Sequence, residues 1–128
     1  MLERIDHIDF TLEDVASAVE TFKKLGFSVL FERGKPGDAD YSAEVVLPGE
    51  NQVVIELRPA IPNGGVVGLN HVSFKVSGPD TVDKMKDLGF KFEPENKFIQ
   101  DSERTISNFR AQGLKWQLTD GLGLRKTR

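Results

Sequence analysis

The strongest constraint in this sequence of 128 residues is an internal repeat built around its two histidines. His7 lies in the alternating stretch Ile-Asp-His-Ile-Asp-Phe, and His71 lies in Leu-Asn-His-Val-Ser-Phe. The histidines are 64 positions apart (71 − 7 = 64), which is half the length of the chain. Each stretch is followed by an amphipathic segment that ends in the tripeptide Leu-Gly-Phe, at residues 25–27 and 88–90. The sequence therefore indicates one structural unit written twice, with a histidine on the corresponding strand of each copy.

Each copy is predicted to contain a strand, a helix and three further strands, because period-2 and period-3.6 apolar patterns alternate in that order. In the first copy, the predicted strands are 4–11, 27–33, 41–47 and 52–58. In the second copy, they are 69–76, 90–93, 105–110 and 114–119, and the segment 94–104 could be a loop over a pocket. Thr11 can cap the first helix. Gly26 closes that helix at a position suited to left-handed geometry, and Gly89 ends the second helix.

The proposed domain organisation follows from this repeat. Residues 1–60 form one module, residues 69–128 form the other, and the Pro- and Gly-rich stretch at about 61–68 links them within a single domain, 1–128. A chain of this length suits one domain or two small modules that share a core.

Composition removes several classes of function. The sequence has no cysteine, which excludes disulfides, thiolate catalysis and thiolate metal ligands. Its net charge of −3 gives no electrostatic basis for general nucleic-acid binding. No apolar run is long enough for a membrane span or a signal segment. We therefore expect no nucleic-acid or membrane partner and, by default, a cytoplasmic location.

Four of the predicted strands share an unusual feature, which is one apolar face and one largely polar face. The polar faces carry His7 and Asp9 in the first strand, Glu56 and Arg58 in the fourth, His71, Ser73 and Lys75 in the fifth, and Lys115, Gln117 and Thr119 in the last. One interpretation places these faces in water, as on many antiparallel sheets. The other closes them around a cleft.

In the cleft interpretation, His7, Glu56, His71 and Gln117 converge. Each histidine has a polar partner at a matching distance in its own copy, 49 residues on for His7 and 46 residues on for His71. Two imidazoles, a carboxylate and an amide oxygen suit one divalent metal such as Ni, Zn, Co, Mn or Fe. The alternatives stay open: the histidines could be structural, and Glu56 could be a surface carboxylate that pairs with Arg58 or Lys115.

At these residues the chain resembles the vicinal oxygen chelate superfamily, which is the glyoxalase, bleomycin resistance and dioxygenase group. The resemblance rests on the histidine that opens each copy, on the two Leu-Gly-Phe tripeptides, and on the closing segment 109–118, where Phe109, Gly113 and Leu118 keep the frame of the family motif. It implies an α+β fold of two tandem βαβββ modules, which form a cup-shaped mixed sheet with helices on its outer face.

The resemblance also implies a function. The set His7, Glu56, His71 and Gln117 is most similar to that of glyoxalase I, and methylmalonyl-CoA epimerases are similar in using an amide ligand. The first expectation is therefore a metal-dependent lyase or isomerase that stabilises an enediolate next to a carbonyl. Glu56 is the expected base, and Asp9 is the reserve. The alternatives are a metal-free binding protein of the bleomycin-resistance kind and a ferrous dioxygenase that uses two histidines and Glu56.

The expected partners are a small molecule and a second copy of the chain. Arg58, Lys75 and Lys115 share the polar face and are candidates to hold an anionic group of the substrate, which could be a thiol adduct or another anionic compound. Family members often cover their open cup with a partner, and this implies a homodimer.

Overall fold

The computed structural model describes residues 2–60, 65–78, 80–94, 97–99 and 104–119. Its elements in chain order are β1 (Leu2–Leu12), α1 (Val15–Lys24), β2 (Ser28–Arg33), β3 (Ser42–Val46), β4 (Val54–Pro59), β5 (Gly68–Val76), α2 (Thr81–Asp87), β6 (Lys97–Ile99), β7 (Arg104–Ala111) and β8 (Leu114–Thr119). The order strand, helix, strand, strand, strand occurs twice, as the repeat predicts. The predicted α+β class, with two βαβββ modules and mixed strand pairing, is confirmed.

The first four strands are ordered β2-β3-β4-β1. Strand β1 pairs with β4 in parallel, and the other two pairings are antiparallel. Helix α1 packs its buried residues Val15 and Val19 against a cluster that includes Val45 and Leu57 of β3 and β4. The apolar residues of α1 recur at helical spacing, so one side of the helix covers one side of these strands.

The last four strands repeat this arrangement in the order β5-β8-β7-β6. Strand β5 pairs with β8 in parallel, and β7 pairs with β8 and β6 in antiparallel fashion. The buried Met85 of α2 packs with Phe109 and Leu118, and Trp116 stacks on Phe74 with ring centroids 5.9 Å apart. Each copy therefore has its own helix-covered apolar core.

Packing divides the chain into two compact units, and the division falls inside strands. One unit contains residues 7–70, and the other contains residues 71–128 together with residues 1–6. The breaks before His7 and His71 lie at equivalent positions of the repeat. Strands β1 and β5 therefore each contribute residues to both units.

Local details differ from the predictions in two places. The predicted strand 90–93 is reduced to an isolated bridge between Phe92 and Phe109, and the second strand of that copy is β6, within the segment expected to be a loop. The cap of α1 is Asp14, whose carboxylate accepts from the backbone N–H of Ser17 at 3.0 Å, and Thr11 belongs to β1.

Other boundaries agree with the sequence. Gly26 and Gly89 follow the two helices, as predicted, with φ values of +101° and +99°. The described part of the chain contains no helix long and apolar enough to cross a membrane. Residues 61–64, which are half of the predicted linker, lie outside the described residues.

Candidate metal centre

The polar faces of the strands are buried, which favours the cleft interpretation over solvent exposure. His7, Asp9 and Thr11 of β1 are at most 2% exposed, whereas the intervening Ile8 and Phe10 are only half-buried. The polar side of β1 is thus covered more completely than its apolar side. Burial of titratable groups is costly unless they are paired, hydrogen-bonded or bound to a metal, so this face indicates a function rather than a solvated surface.

Three of the predicted ligands lie together. One potential ligand atom from each of His7, Glu56 and His71 can be chosen so that all three atoms lie within 4.8 Å of one another. His7 Nε2 lies 3.5 Å from Glu56 Oε2. All three residues are buried, with exposed fractions of 0%, 9% and 5% in that order.

This geometry fits a metal ion. Ligand atoms about 2.0–2.2 Å from one ion lie roughly 3.0–3.5 Å apart, which is close to the separation of His7 Nε2 and Glu56 Oε2. Two imidazoles and one carboxylate suit divalent first-row metals, and they leave positions for substrate or water. The residues present therefore meet the chemical and spatial requirements of such a centre.

A row of carboxylates crosses three neighbouring strands beside this cluster. Glu44 of β3 lies directly opposite Glu56 of β4, and Glu56 is the register partner of Asp9 on β1. Side chains at opposed positions of an antiparallel pair have Cβ atoms roughly 4.5–5.5 Å apart, and like charges there are destabilising. Arg58 neutralises Asp9, and His7 lies against Glu56. A cation held by His7, Glu56 and His71 would lie beside this row and would offset part of its negative charge.

Sequence reasoning missed Glu44, although a signal was present. Ala43 and Val45 are buried in the apolar core, so the intervening Glu44 must point to the opposite side of β3, which is the side of Glu56.

Asp9 and the predicted anion-binding residues have identified neighbours. The Nε atom of Arg58 lies 3.0 and 2.9 Å from the two carboxylate oxygens of Asp9. Lys75 Nζ lies 3.4 Å from Glu3 Oε2. Lys115 is half-buried on β8, opposite Arg110 in the register. Of the three cationic side chains that are proposed to hold the substrate, Arg58 and Lys75 therefore already have carboxylate partners.

Gln117 lies on the buried polar face of the second unit. Its register partner on β5 is Ser73, which belongs to the same face as His71 two residues before it. Gln117 is 4% exposed, and its Nε2 donates to Asn108 Oδ1 at 3.2 Å. Ser73 is fully buried, and its hydroxyl has no hydrogen-bond partner among the described residues. A polar group of a ligand would satisfy that hydroxyl.

The fold and this cluster define a class of protein, which has a duplicated βαβββ module and a buried His-Glu-His set. Comparison with solved structures finds this fold in methylmalonyl-CoA epimerases. The Streptomyces coelicolor epimerase matches with a TM-score of 0.71 at 19% identity, over 93% of this chain and 97% of that one. The Mycobacterium tuberculosis epimerase matches with a TM-score of 0.75 at 17% identity, over 92% and 87%.

A Bacillus halodurans protein described as hypothetical also matches, with a TM-score of 0.70 at 15% identity, over 91% of this chain and 92% of that one. No protein-family profile and no curated protein sequence matches. The similarity in structure confirms the predicted fold of two tandem βαβββ modules. At such identities it establishes the fold alone, because one fold can carry different chemistries in different proteins.

Proposed function

We propose that this protein is a metal-dependent isomerase that moves a proton at a carbon next to a carbonyl group. The observation that carries the proposal is the buried cluster of His7, Glu56 and His71, with Glu44 opposite Glu56. The fold shared with methylmalonyl-CoA epimerases adds support, because one of them is solved with methylmalonyl-CoA, a compound in which the carbon that can be epimerised lies next to a thioester carbonyl. A divalent metal held by the cluster would act as a Lewis acid on the carbonyl oxygen and stabilise the charge that develops when the proton leaves.

The register of β3 and β4 supports different roles for the two glutamates, Glu44 and Glu56. From sequence alone, Glu56 is expected to serve both as ligand and as base, with water or Asp9 as the alternative. Glu44 offers a second carboxylate directly opposite, outside the cluster of potential ligand atoms. In this proposal Glu56 binds the metal, while Glu44 takes the proton from carbon and returns it to the neighbouring position, so that no atoms are gained or lost. Asp9 is less suited to be the base, since Arg58 binds its carboxylate.

The distribution of charge favours proton transfer by a single base. All three carboxylates of the row belong to β1, β3 and β4, and strands β5, β7 and β8 contain no acidic residue. An epimerase that uses two bases needs an acid or base on each face of the substrate carbon. A single base suits a 1,2-proton shift of the glyoxalase I kind. The hemithioacetal of methylglyoxal and glutathione is therefore the first substrate to test, and methylmalonyl-CoA is the second.

The experiment measures metal binding and proton exchange separately. Isothermal titration with Ni²⁺, Zn²⁺, Co²⁺ and Mn²⁺ should give one site per chain, and His7→Ala should abolish it. Exchange of the substrate's carbon-bound proton in D₂O, followed by NMR, should fall by about 10²–10⁴-fold in Glu44→Gln. The same variant should retain metal affinity, and Glu50→Gln, in an exposed turn, is the matched control. Wild-type exchange rates in Glu44→Gln would refute its role as the base.

A second candidate function rests on the same three ligands. Two histidines and one carboxylate have the composition of a ferrous facial triad, so an oxygenase is the alternative. Oxygen consumption with a catechol in the presence of Fe²⁺, without exchange of carbon-bound protons, would favour it. Binding of small molecules by a protein that takes up no metal would instead favour a sequestering role. The homodimer stays a prediction.

A further inference from the structure

Three side chains of the second unit form a chain of hydrogen bonds that ends at Gln117. Gln117 Nε2 donates to Asn108 Oδ1 at 3.2 Å, and Asn108 Nδ2 donates to Glu93 Oε2 at 3.4 Å. The backbone N–H of Glu93 also donates to the carbonyl of Asn108 at 2.8 Å, which holds the two residues beside each other. Asn108 and Gln117 are 3% and 4% exposed, whereas Glu93 lies at the exposed end.

The carboxylate at the exposed end sets the direction of the whole chain. An ionised glutamate only accepts hydrogen bonds, while a carboxamide has one donating and one accepting side. Asn108 must therefore turn its NH₂ group towards Glu93, and its oxygen towards Gln117. Gln117 must in turn offer its own NH₂ group to Asn108. The side-chain carbonyl oxygen is therefore the Gln117 atom that can contact a cation.

The direction matters because only the oxygen of a carboxamide serves as a metal ligand. Gln117 is the register partner of Ser73, two residues from His71 on the neighbouring strand. A carboxamide rotated by half a turn would present its NH₂ group to a bound cation and repel it. Burial alone does not decide between these orientations, since the two ends of the amide have nearly the same shape.

We propose that Glu93 and Asn108 are positioning residues, which hold Gln117 with its carbonyl oxygen available to the metal centre at His71. This inference rests on the proposed metal-dependent function. It explains how a chain with an amide in place of a carboxylate on its last strand can still complete an oxygen ligand set. It also gives a role to Glu93, which no motif of the sequence marks.

The metal-binding test replaces the acceptor at the end of the chain. In Glu93→Gln, the new amide can donate to Asn108, so both carboxamides can reverse. Co²⁺ affinity should fall by roughly 10–100-fold, as is typical for residues that orient metal ligands. The double variant E93Q/N108D has the wild-type charge and places an acceptor-only group beside Gln117, so affinity should return. Glu50→Gln is the control. Added salt should not remove the loss of Co²⁺ affinity, because the loss comes from the reversed Gln117 amide inside the protein and not from the charge of the exposed Glu93, which salt screens.

A second measurement does not depend on metal. In the metal-free protein, NMR should detect scalar coupling across the hydrogen bond between Gln117 Nε2 and the side-chain carbonyl of Asn108. The coupling should disappear in Glu93→Gln and return in E93Q/N108D. Its absence from the wild-type protein, or unchanged Co²⁺ affinity in Glu93→Gln, would overturn the positioning role. If the coupling is present and the wild-type protein binds no metal, the proposed function fails and the orientation of Gln117 stands.

Discussion

Removal of either partner of the Asp9–Arg58 ion pair should destabilise the protein, but by unequal amounts. Asp9 is buried, with 1% of its side chain exposed, whereas 35% of the Arg58 side chain is exposed. If Asp9 is replaced by Asn, Arg58 can extend into water. If Arg58 is replaced by Met, a buried carboxylate loses its cation. Breaking a buried pair in this second way typically costs about 3–5 kcal/mol.

The expected magnitudes can be expressed as melting temperatures. Asp9 has further interactions in the folded chain, so the lower end of that range applies, at about 3 kcal/mol for Arg58→Met. For Asp9→Asn, about 1 kcal/mol is expected for the lost hydrogen bonds, because water can solvate the Arg58 guanidinium. With an unfolding entropy of about 2.1 cal/mol/K per residue, 128 residues give about 0.27 kcal/mol/K. The melting temperature should then fall by about 11 °C for Arg58→Met and about 4 °C for Asp9→Asn.

Thermal unfolding followed by circular dichroism measures both variants and the double variant. Arg110→Met is the matched control, since Arg110 is an exposed strand residue, and it should change stability by less than about 0.5 kcal/mol. The double variant should be more stable than the sum of the single changes implies, because it leaves no uncompensated charge. Equal losses from the two single variants, or strict additivity in the double variant, would show that the burial argument is incorrect.

Two further predictions concern the first unit and the helix ends. Tyr41 is the only tyrosine, and burial together with its 2.6 Å hydrogen bond to Glu32 raises its pKa to about 12, so absorbance should report phenolate formation near that pH. The pKa of Tyr41 in the folded protein lies above the ordinary value of about 10. The stabilisation that protonated Tyr41 contributes is therefore complete below pH 10 and is lost as the pH rises towards 12. Glu32→Gln should lower the pKa only in part, since burial is the largest cause, and a fall to the ordinary value would contradict this. Gly26→Ala and Gly89→Ala should each cost about 1–2 kcal/mol in denaturant unfolding, because both glycines have positive φ and neither site offers a steric clash; an unchanged stability would refute backbone strain as the cause.

The fold was accessible from the sequence because its main signals are local and repeated. Alternation around His7 and His71, helical spacing before Gly26 and Gly89, and the matching order of elements depend on neighbouring residues only. The burial of the polar faces was one of two interpretations, and the structure favours the cleft. The proximity of His7, Glu56 and His71 followed from treating equivalent strands of the two copies alike.

The remaining features depend on pairing between strands, which local sequence does not determine. Glu44 faces Glu56 only because of the β3–β4 register, and Arg58 reaches Asp9 across β1 and β4. Strand β6 was missed because it contains only three residues and lies in a segment without a clear period. The N-cap of α1 was predicted at Thr11 and lies at Asp14, because β1 continues through Thr11.

The position at which packing divides the chain has a consequence for any attempt to separate the two copies. The sequence repeats with an offset of 64 residues, yet the compact units begin at His7 and His71, and the residues that precede each histidine belong to the other unit. Cleavage between the copies would therefore leave neither half with all the residues of its own compact unit.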